Sequence, residues 1–513
     1  MTRYLLLLAA SVAACTAPTA PQGGSNGNDR SNGGEQGETL LTGAMVVSPD
    51  GKFALMQRNA TSVLLDVENR RVRELPVQVD RFVFAKTGGW GIAVLANRAG
   101  VVRYDLATTS ETWRTTPAFL TTAGAMLARL SDDGRNLVLG DADRVLVLDA
   151  EKGDVRGAAK VGSIPAELAF VPGTSRALIV GTTRWANHLP DTDVVDVDLV
   201  SLATTRTSVP NCTAPIEVLP DASRALLSPT FCEEGQATSK GQWTNPDPVS
   251  VIDLAADGPH FLKNLPGFGP VAMDPSSHRA VAYLDVERMD EAMFTDKAKI
   301  PSRSGARYHI MTIDPKTLAY DLSPVGNVLP RFAMAKDGKA LLVDATVQQV
   351  RGEATVKATI DGSGRVTVAV ELFGKSASLF GLFDLEAKTY APFGGPAASL
   401  DRFVQMGDGA RVFTLKLSAD GSGGDLYRID VQAKTATSLG KNLRDIGLLA
   451  DQKTMLLRER LPAVQVKTNT SVDWFRREKY CFSLDGITCT SEIEFQDSKP
   501  FQSGPSCTDY HDC

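Results

Sequence analysis

The chain has 513 residues, with 54 Lys and Arg against 60 Asp and Glu and a net charge of −6. That balance leaves no basic footprint for nucleic acid or for an anionic lipid surface. Hydrophobic content of 43% and charged content of 22% are those of a folded globular chain and exclude a wholly disordered one.

Residues 1–14 carry one basic residue, Arg3, and then an apolar stretch from Tyr4 to Ala14. This has the form of an export signal and is too short to cross a bilayer as a helix. It ends Val12-Ala13-Ala14-Cys15, which resembles the lipobox of bacterial lipoproteins. The resemblance implies that Cys15 is acylated on its sulfur, becomes the new N-terminus on cleavage and is acylated again. Several acyl chains make such an anchor stable where one would not. Residues 15–39 then form the anchor and a tether. Thr16 to Glu38, 23 residues rich in Gly, Ser, Asn, Gln and Pro, has almost nothing to bury. Such a segment spans roughly 25 Å as a flexible coil. Thr16, where an Asp would favour inner-membrane retention, gives the outer membrane of a bacterial envelope as the expected address. No later segment approaches 18 consecutive apolar residues, so contact with the membrane is expected through the lipid anchor only.

From residue 40 to 495 one short phrase recurs nine times: two or three apolar or β-prone residues, then Asp. The phrase ends at Asp66, Asp105, Asp149, Asp198, Asp253, Asp314, Asp384, Asp430 and Asp485, with spacings from 39 to 70. Val63-Leu64-Leu65-Asp66 and Leu146-Val147-Leu148-Asp149 are clear copies. Upstream of the phrase lies a second signal, two apolar runs around a tight polar turn. Ser48-Pro49-Asp50-Gly51 and Ser131-Asp132-Asp133-Gly134 are its clearest forms. Pro presets φ, Asp bonds its own backbone and Gly takes φ > 0, so each unit begins with a hairpin. The Asp phrase ends a third strand, and polar residues such as Glu151-Lys152-Gly153-Asp154 turn the chain into a fourth.

These units resemble the bacterial β-propeller repeats that carry an "SPDG" turn and a "v-x-v-i-D-l-x-t-g-k" strand. The fold class implied is all-β, a propeller of four-stranded antiparallel blades. Nine units are read, while seven and eight blades are the commoner rings. The nine Asp residues are expected to bond backbone amides of the turns that follow them.

Five long insertions interrupt the units, at Arg184–Asp191, Ser228–Pro248, Asp285–Arg307, Ala345–Ser378 and Arg458–Lys479. All fall between the second and third strands, so they are expected on one face, half-encircling the channel mouth. Such clustering marks a binding face in repeat proteins. The candidate residues there are Trp185, His188, Trp243, Met289, Phe294, Trp474 and Phe475, because aromatics and Met favour interfaces. The alternative is that they pack the insertions onto the ring. Two alternating runs, 354–360 and 366–370, read as a projecting hairpin.

With Cys15 set aside, six cysteines remain, an even number suited to disulfides in an exported protein. They fall into near pairs: Cys212 with Cys232, Cys481 with Cys489, and Cys507 with Cys513 in the tail, 496–513. No CxxC pair is present, and no metal or cofactor is expected. The chain also lacks a Gly-x-Ser-x-Gly elbow, a P-loop and an HExxH motif. The reading favoured is therefore not an enzyme but a binding or scaffold module for a protein or glycan partner in the envelope. The alternative is a lactonase-like or sugar-processing propeller with His188 or His309 at the channel mouth.

Overall fold

The structure is a computed structural model. It describes residues 45–504, apart from 58–61, 76, 78, 87–88, 96–99, 118–126, 187–188, 230–247, 275–278, 327–330, 335–339, 345–353, 361–365, 373–379, 394–401, 409, 418–423, 468–471 and 497–501. Cys15, the tether, Cys232, Trp243, His188, Cys507 and Cys513 lie outside the described residues.

Nine four-stranded antiparallel sheets follow one another along the described chain, at 45–75, 79–115, 128–160, 165–209, 216–265, 268–326, 331–393, 402–443 and 445–496. We number them blades 1 to 9. Every Asp phrase supplies the third strand of its own blade, from Ser62–Asp66 in blade 1 to Val472–Ser483 in blade 9. Strands pair in chain order within each blade. Blade 4 adds a short strand, Arg184–Ala186, and blade 7 a separate hairpin of Ala354–Ile360 with Val366–Leu372.

The core lies between the blades. Phe82 and Phe84 of blade 2 pack with Leu55 and Leu64 of blade 1. Val83, on the opposite face of the same strand, packs with Leu137 and Leu146 of blade 3. Both faces of a sheet are thereby covered, which is why Asn136–Asp141 is buried at every position and shows no inside-outside alternation. Leu456 and Tyr480 of blade 9 pack with Met45 and Leu65 of blade 1, so the last sheet meets the first. The fold is a β-propeller.

The repeated turns are built as their chemistry requires. In blade 1 the Ser48 hydroxyl donates to Asp50 Oδ1 (2.5 Å) and accepts from the Phe53 amide (2.9 Å). Blade 3 repeats this through Ser131, Asp133 and Asn136, at 2.6 and 2.9 Å. Gly51 and Gly134 hold φ of 67° and 70°. The phrase-ending Asp residues accept from amides of the next turn: Asp198 from Val200 and Ser201 (3.0 and 2.7 Å), Asp384 from Glu386 and Ala387 (2.9 and 2.7 Å). Asp253 differs and faces Arg224 at 3.9 Å.

Candidate interaction face

Neighbouring strands in a blade run in opposite directions. The first-to-second and third-to-fourth turns therefore lie on one face of the ring. The second-to-third connections lie on the other. All five insertions leave from second-to-third connections, so all five leave the ring on one face.

On blade 4 the insertion is a stiff ledge. Arg184 donates to Asp193 at 2.7 and 2.8 Å and to Asp191 at 2.7 Å. These carboxylates, Asp191 first, hold the Arg184 guanidinium above its ordinary pKa. Beneath the ledge, fully buried Asn211 donates to the Pro248 carbonyl and the Ser250 hydroxyl, both at 2.7 Å. Thr192 donates to the Asn211 carbonyl at 2.7 Å. The network ties blade 4 to blade 5. Trp185 is half-buried and Leu189 is 56% exposed, so an apolar tip stands on a rigid base.

On blade 6 the expected placement needs correcting. The insertion leaves on the shared face, where Arg307 holds Asp285 at 3.0 and 2.8 Å. It then folds outward and down. Two 3-10 turns, Glu291–Met293 and Lys297–Lys299, are capped by Asp290 and Asp296. Phe294 meets the Tyr320 ring edge-on at 6.2 Å, and Lys299 Nζ donates to the Tyr320 carbonyl at 2.6 Å. Tyr320 opens the outermost strand, so this insertion clothes the perimeter rather than the channel mouth. Met289 and Phe294 are 8% and 1% exposed and join the cluster between blades 5 and 6. They fill the core and are not presented to solvent.

On blade 9 the second and third strands, Met455–Lys467 and Val472–Ser483, outrun the first strand, which pairs only with Met455 to Arg458. The surplus forms an arm. At its base Arg458 donates to buried Glu478 at 2.7 and 3.2 Å, and Tyr480 donates to the same carboxylate at 2.6 Å. Trp474 is buried and Phe475 half-buried. The strand Gln502–Gly504 pairs along Val472 to Trp474. Cys481 and Cys489 are bridged across the end of blade 9, as their spacing implied. Cys212 is also disulfide-bonded.

His309 does not reach the channel mouth. It is 8% exposed and shares a strand face with Met311 and Ile313, which pack toward blade 5. Its Nδ1 has no partner among the described residues, and burial holds its pKa below the ordinary value. Among the described residues no group of three or more His, Cys, Asp or Glu is placed to hold a metal.

A cleft of about 280 Å³ lies between blades 2 and 3 on the turn face, lined by residues too far apart along the chain to mark it beforehand. Arg103 stacks over Trp90 at 4.1 Å and donates to the Glu151 carbonyl at 3.1 Å. Arg156 donates to Asp149 at 2.8 Å, so the cleft's charges largely answer one another.

No protein-family model matches the chain, and no curated protein matches it. Solved structures resemble it at the level of fold. The Kuenenia stuttgartiensis hydrazine synthase is 14% identical, with a TM-score of 0.35 over 66% of this chain and 94% of that one. A eukaryotic initiation factor is 14% identical, with a TM-score of 0.38 over 79% and 94%. Dihydro-heme d1 dehydrogenase NirN in complex with DHE is 18% identical, with a TM-score of 0.37 over 68% and 69%. These neighbours differ in activity from one another. The propeller described above rests on strand pairing and inter-blade packing, not on them.

Proposed function

We propose that this chain is a lipid-anchored envelope propeller that binds a protein or glycan partner through its insertion-bearing face. One observation carries the reading: all five insertions leave the ring at the same connection, hence on the same face. A solenoid or propeller under no demand for binding has no reason to grow at one connection only. The blade 4 ledge supports it, since its ion pairs and buried Asn211 hold Trp185 and Leu189 at a preorganised tip. The blade 9 arm offers a second raised element. The lipobox-like Val12 to Cys15 and the Gly- and Ser-rich segment after it support a tethered address.

Fractionation of cells carrying Cys15→Ala tests the anchor. The variant is expected in the soluble envelope fraction, with the parent protein in membranes; a variant that still pellets after a high-salt wash contradicts it. The binding face is tested by replacing Trp185 and Leu189 with Ser together. That change is expected to lose the partner while the thermal midpoint stays within a few degrees of the parent.

A further inference from the structure

The chain enters the ring on the face from which the insertions leave. The first strand of blade 1 runs from Met45 toward the turn at Ser48 to Gly51, so Met45 marks its opposite end. Met45 pairs with Met56, and Met56 with Val63, one step short of the second-to-third connection that follows Gln57. In every blade that connection opens on the insertion face. The Met45 amide donates to Oδ2 of Asp445 at 2.7 Å. Asp445 in turn pairs with Arg458, which donates to Glu478 at the base of the blade 9 arm. The chain therefore joins the ring at the foot of the arm. At the other end, the strand Gln502–Gly504 runs along the same arm at Val472 to Trp474. Both ends of the described chain lie on the insertion face.

The point of entry decides what a tethered propeller can reach. Sequence leads to the expectation of a lipid anchor at Cys15 and a tether over residues 15–39. A flexible coil of that length spans roughly 25–30 Å. Had the chain entered on the turn face, the tether would first have to pass around the rim before the insertions could meet anything in the anchoring membrane. Entry on the insertion face leaves its whole span to that meeting. A partner held in the same membrane is then met at an effective concentration on the order of millimolar, so a small contact suffices. The raised elements are small: their exposed large apolar side chains are Leu189 at the ledge tip and Val466 on the arm. Lipid headgroups are a poor match, because the chain carries a net charge of −6 and no basic footprint.

We propose that the partner of the insertion face is a protein embedded in the membrane that carries the lipid anchor, with the blade 9 arm making the contact nearest the tether. The inference rests on the binding-face reading above and adds where that partner resides.

A full chain with a protease site inserted after Gly24 tests this. Photo-crosslinkers at Leu189 and Val466 are activated in cells. Envelopes are then isolated, the tether is cut, and the membranes are washed in alkaline carbonate. Uncrosslinked propeller is expected in the wash, while the protein adduct stays with the membrane. An adduct that washes out with the propeller puts the partner outside the bilayer; it overturns this inference and leaves the binding face standing. An adduct of lipid mass overturns it as well. No adduct at either position overturns the binding-face reading and this inference together. Deleting residues 19–38 gives a second readout. In a deleted chain that still fractionates with membranes, adduct yield is expected within twofold of the parent, because the short tether already emerges on the partner's side. A tenfold loss in that chain overturns the proposal.

Discussion

The amide of Met45 donates to Oδ2 of Asp445 at 2.7 Å across 400 positions of sequence. Asp445 Oδ1 also accepts from the Ile446 amide at 2.9 Å, so one buried carboxylate joins the first strand of blade 1 to the first strand of blade 9. Asp445→Ala leaves two buried amides without an acceptor and should cost about 2–4 kcal/mol. Chemical denaturation would read this as a lower midpoint. Limited proteolysis would read it as earlier cutting within blade 1 than elsewhere.

Gly51 and Gly173 have nearly the same φ, 67° and 70°, but different surroundings. A Cβ at Gly51 would sit 2.2 Å from the Ala450 amide nitrogen in the matching turn of blade 9, while one at Gly173 meets nothing within 4 Å. Gly173→Ala should cost about 1 kcal/mol, the conformational penalty alone. Gly51→Ala should cost more than twice that, because backbone must move at the ring's seam. Equal thermal midpoints for the two variants would contradict the contact.

Four positions after a phrase-ending Asp the chain repeatedly turns left-handed. Arg70, Thr109, Leu202, Leu318, Lys388 and Lys434 have φ between 52° and 61°, and only Gly153 is a glycine there. Arg70 and Lys434 are exposed and bear little packing. Arg70→Gly and Lys434→Gly should therefore each stabilise by about 0.5–1 kcal/mol, the relieved strain less the entropy of a glycine. Thermal melts of the single and double variants check this, with the effects adding at such distant sites.

The turn carboxylates set an acid limit. Asp198 is held at about 2 by the Ser201 amide first and the Ser175 hydroxyl next. Asp485 is held at about 2 although burial opposes it, because the Thr488 and Ile487 amides bind the charged form. The unfolded value is about 3.9. A depressed folded value means that the contribution is complete above about pH 4 and is lost as pH falls toward 2. Denaturation midpoints measured from pH 5 to pH 2 should fall across that window, and Asp198→Asn should flatten the slope.

Arg458 and Glu478 are both buried at the base of the arm. Arg458→Ala should cost about 3–5 kcal/mol, because Glu478 keeps its charge without its partner. Replacing Arg458, Glu478 and Tyr480 together by Met, Leu and Phe should cost far less. If the triple variant melts as low as the single one, the loss is one of packing rather than of unpaired charge.

Much of this molecule could be read from local sequence. Asp followed by small polar residues closes a turn on its own amides, and Ser48-Pro49-Asp50-Gly51 is a complete turn in four residues. The face of the insertions followed from counting strands. What escaped the reading depends on distance along the chain. Met45 meets Asp445 only when the ring closes, 400 positions apart in sequence. Met289 and Phe294 were misplaced for a different reason. An insertion long enough to carry its own apolar residues can fold back on its blade, and composition alone cannot say which way those residues point.

Site-specific photo-crosslinking in cells tests the binding face most directly. Crosslinkers at Trp185, Leu189 and Val466 on the insertion face are set against others at Asp132, Gly173 and Lys316 on the turn face. The account predicts one discrete adduct shared by the insertion-face positions and absent from the turn face, with the adduct from Val466 lost in the Trp185→Ser and Leu189→Ser double variant. An adduct of equal yield from the turn face, or none from the insertion face, would contradict it.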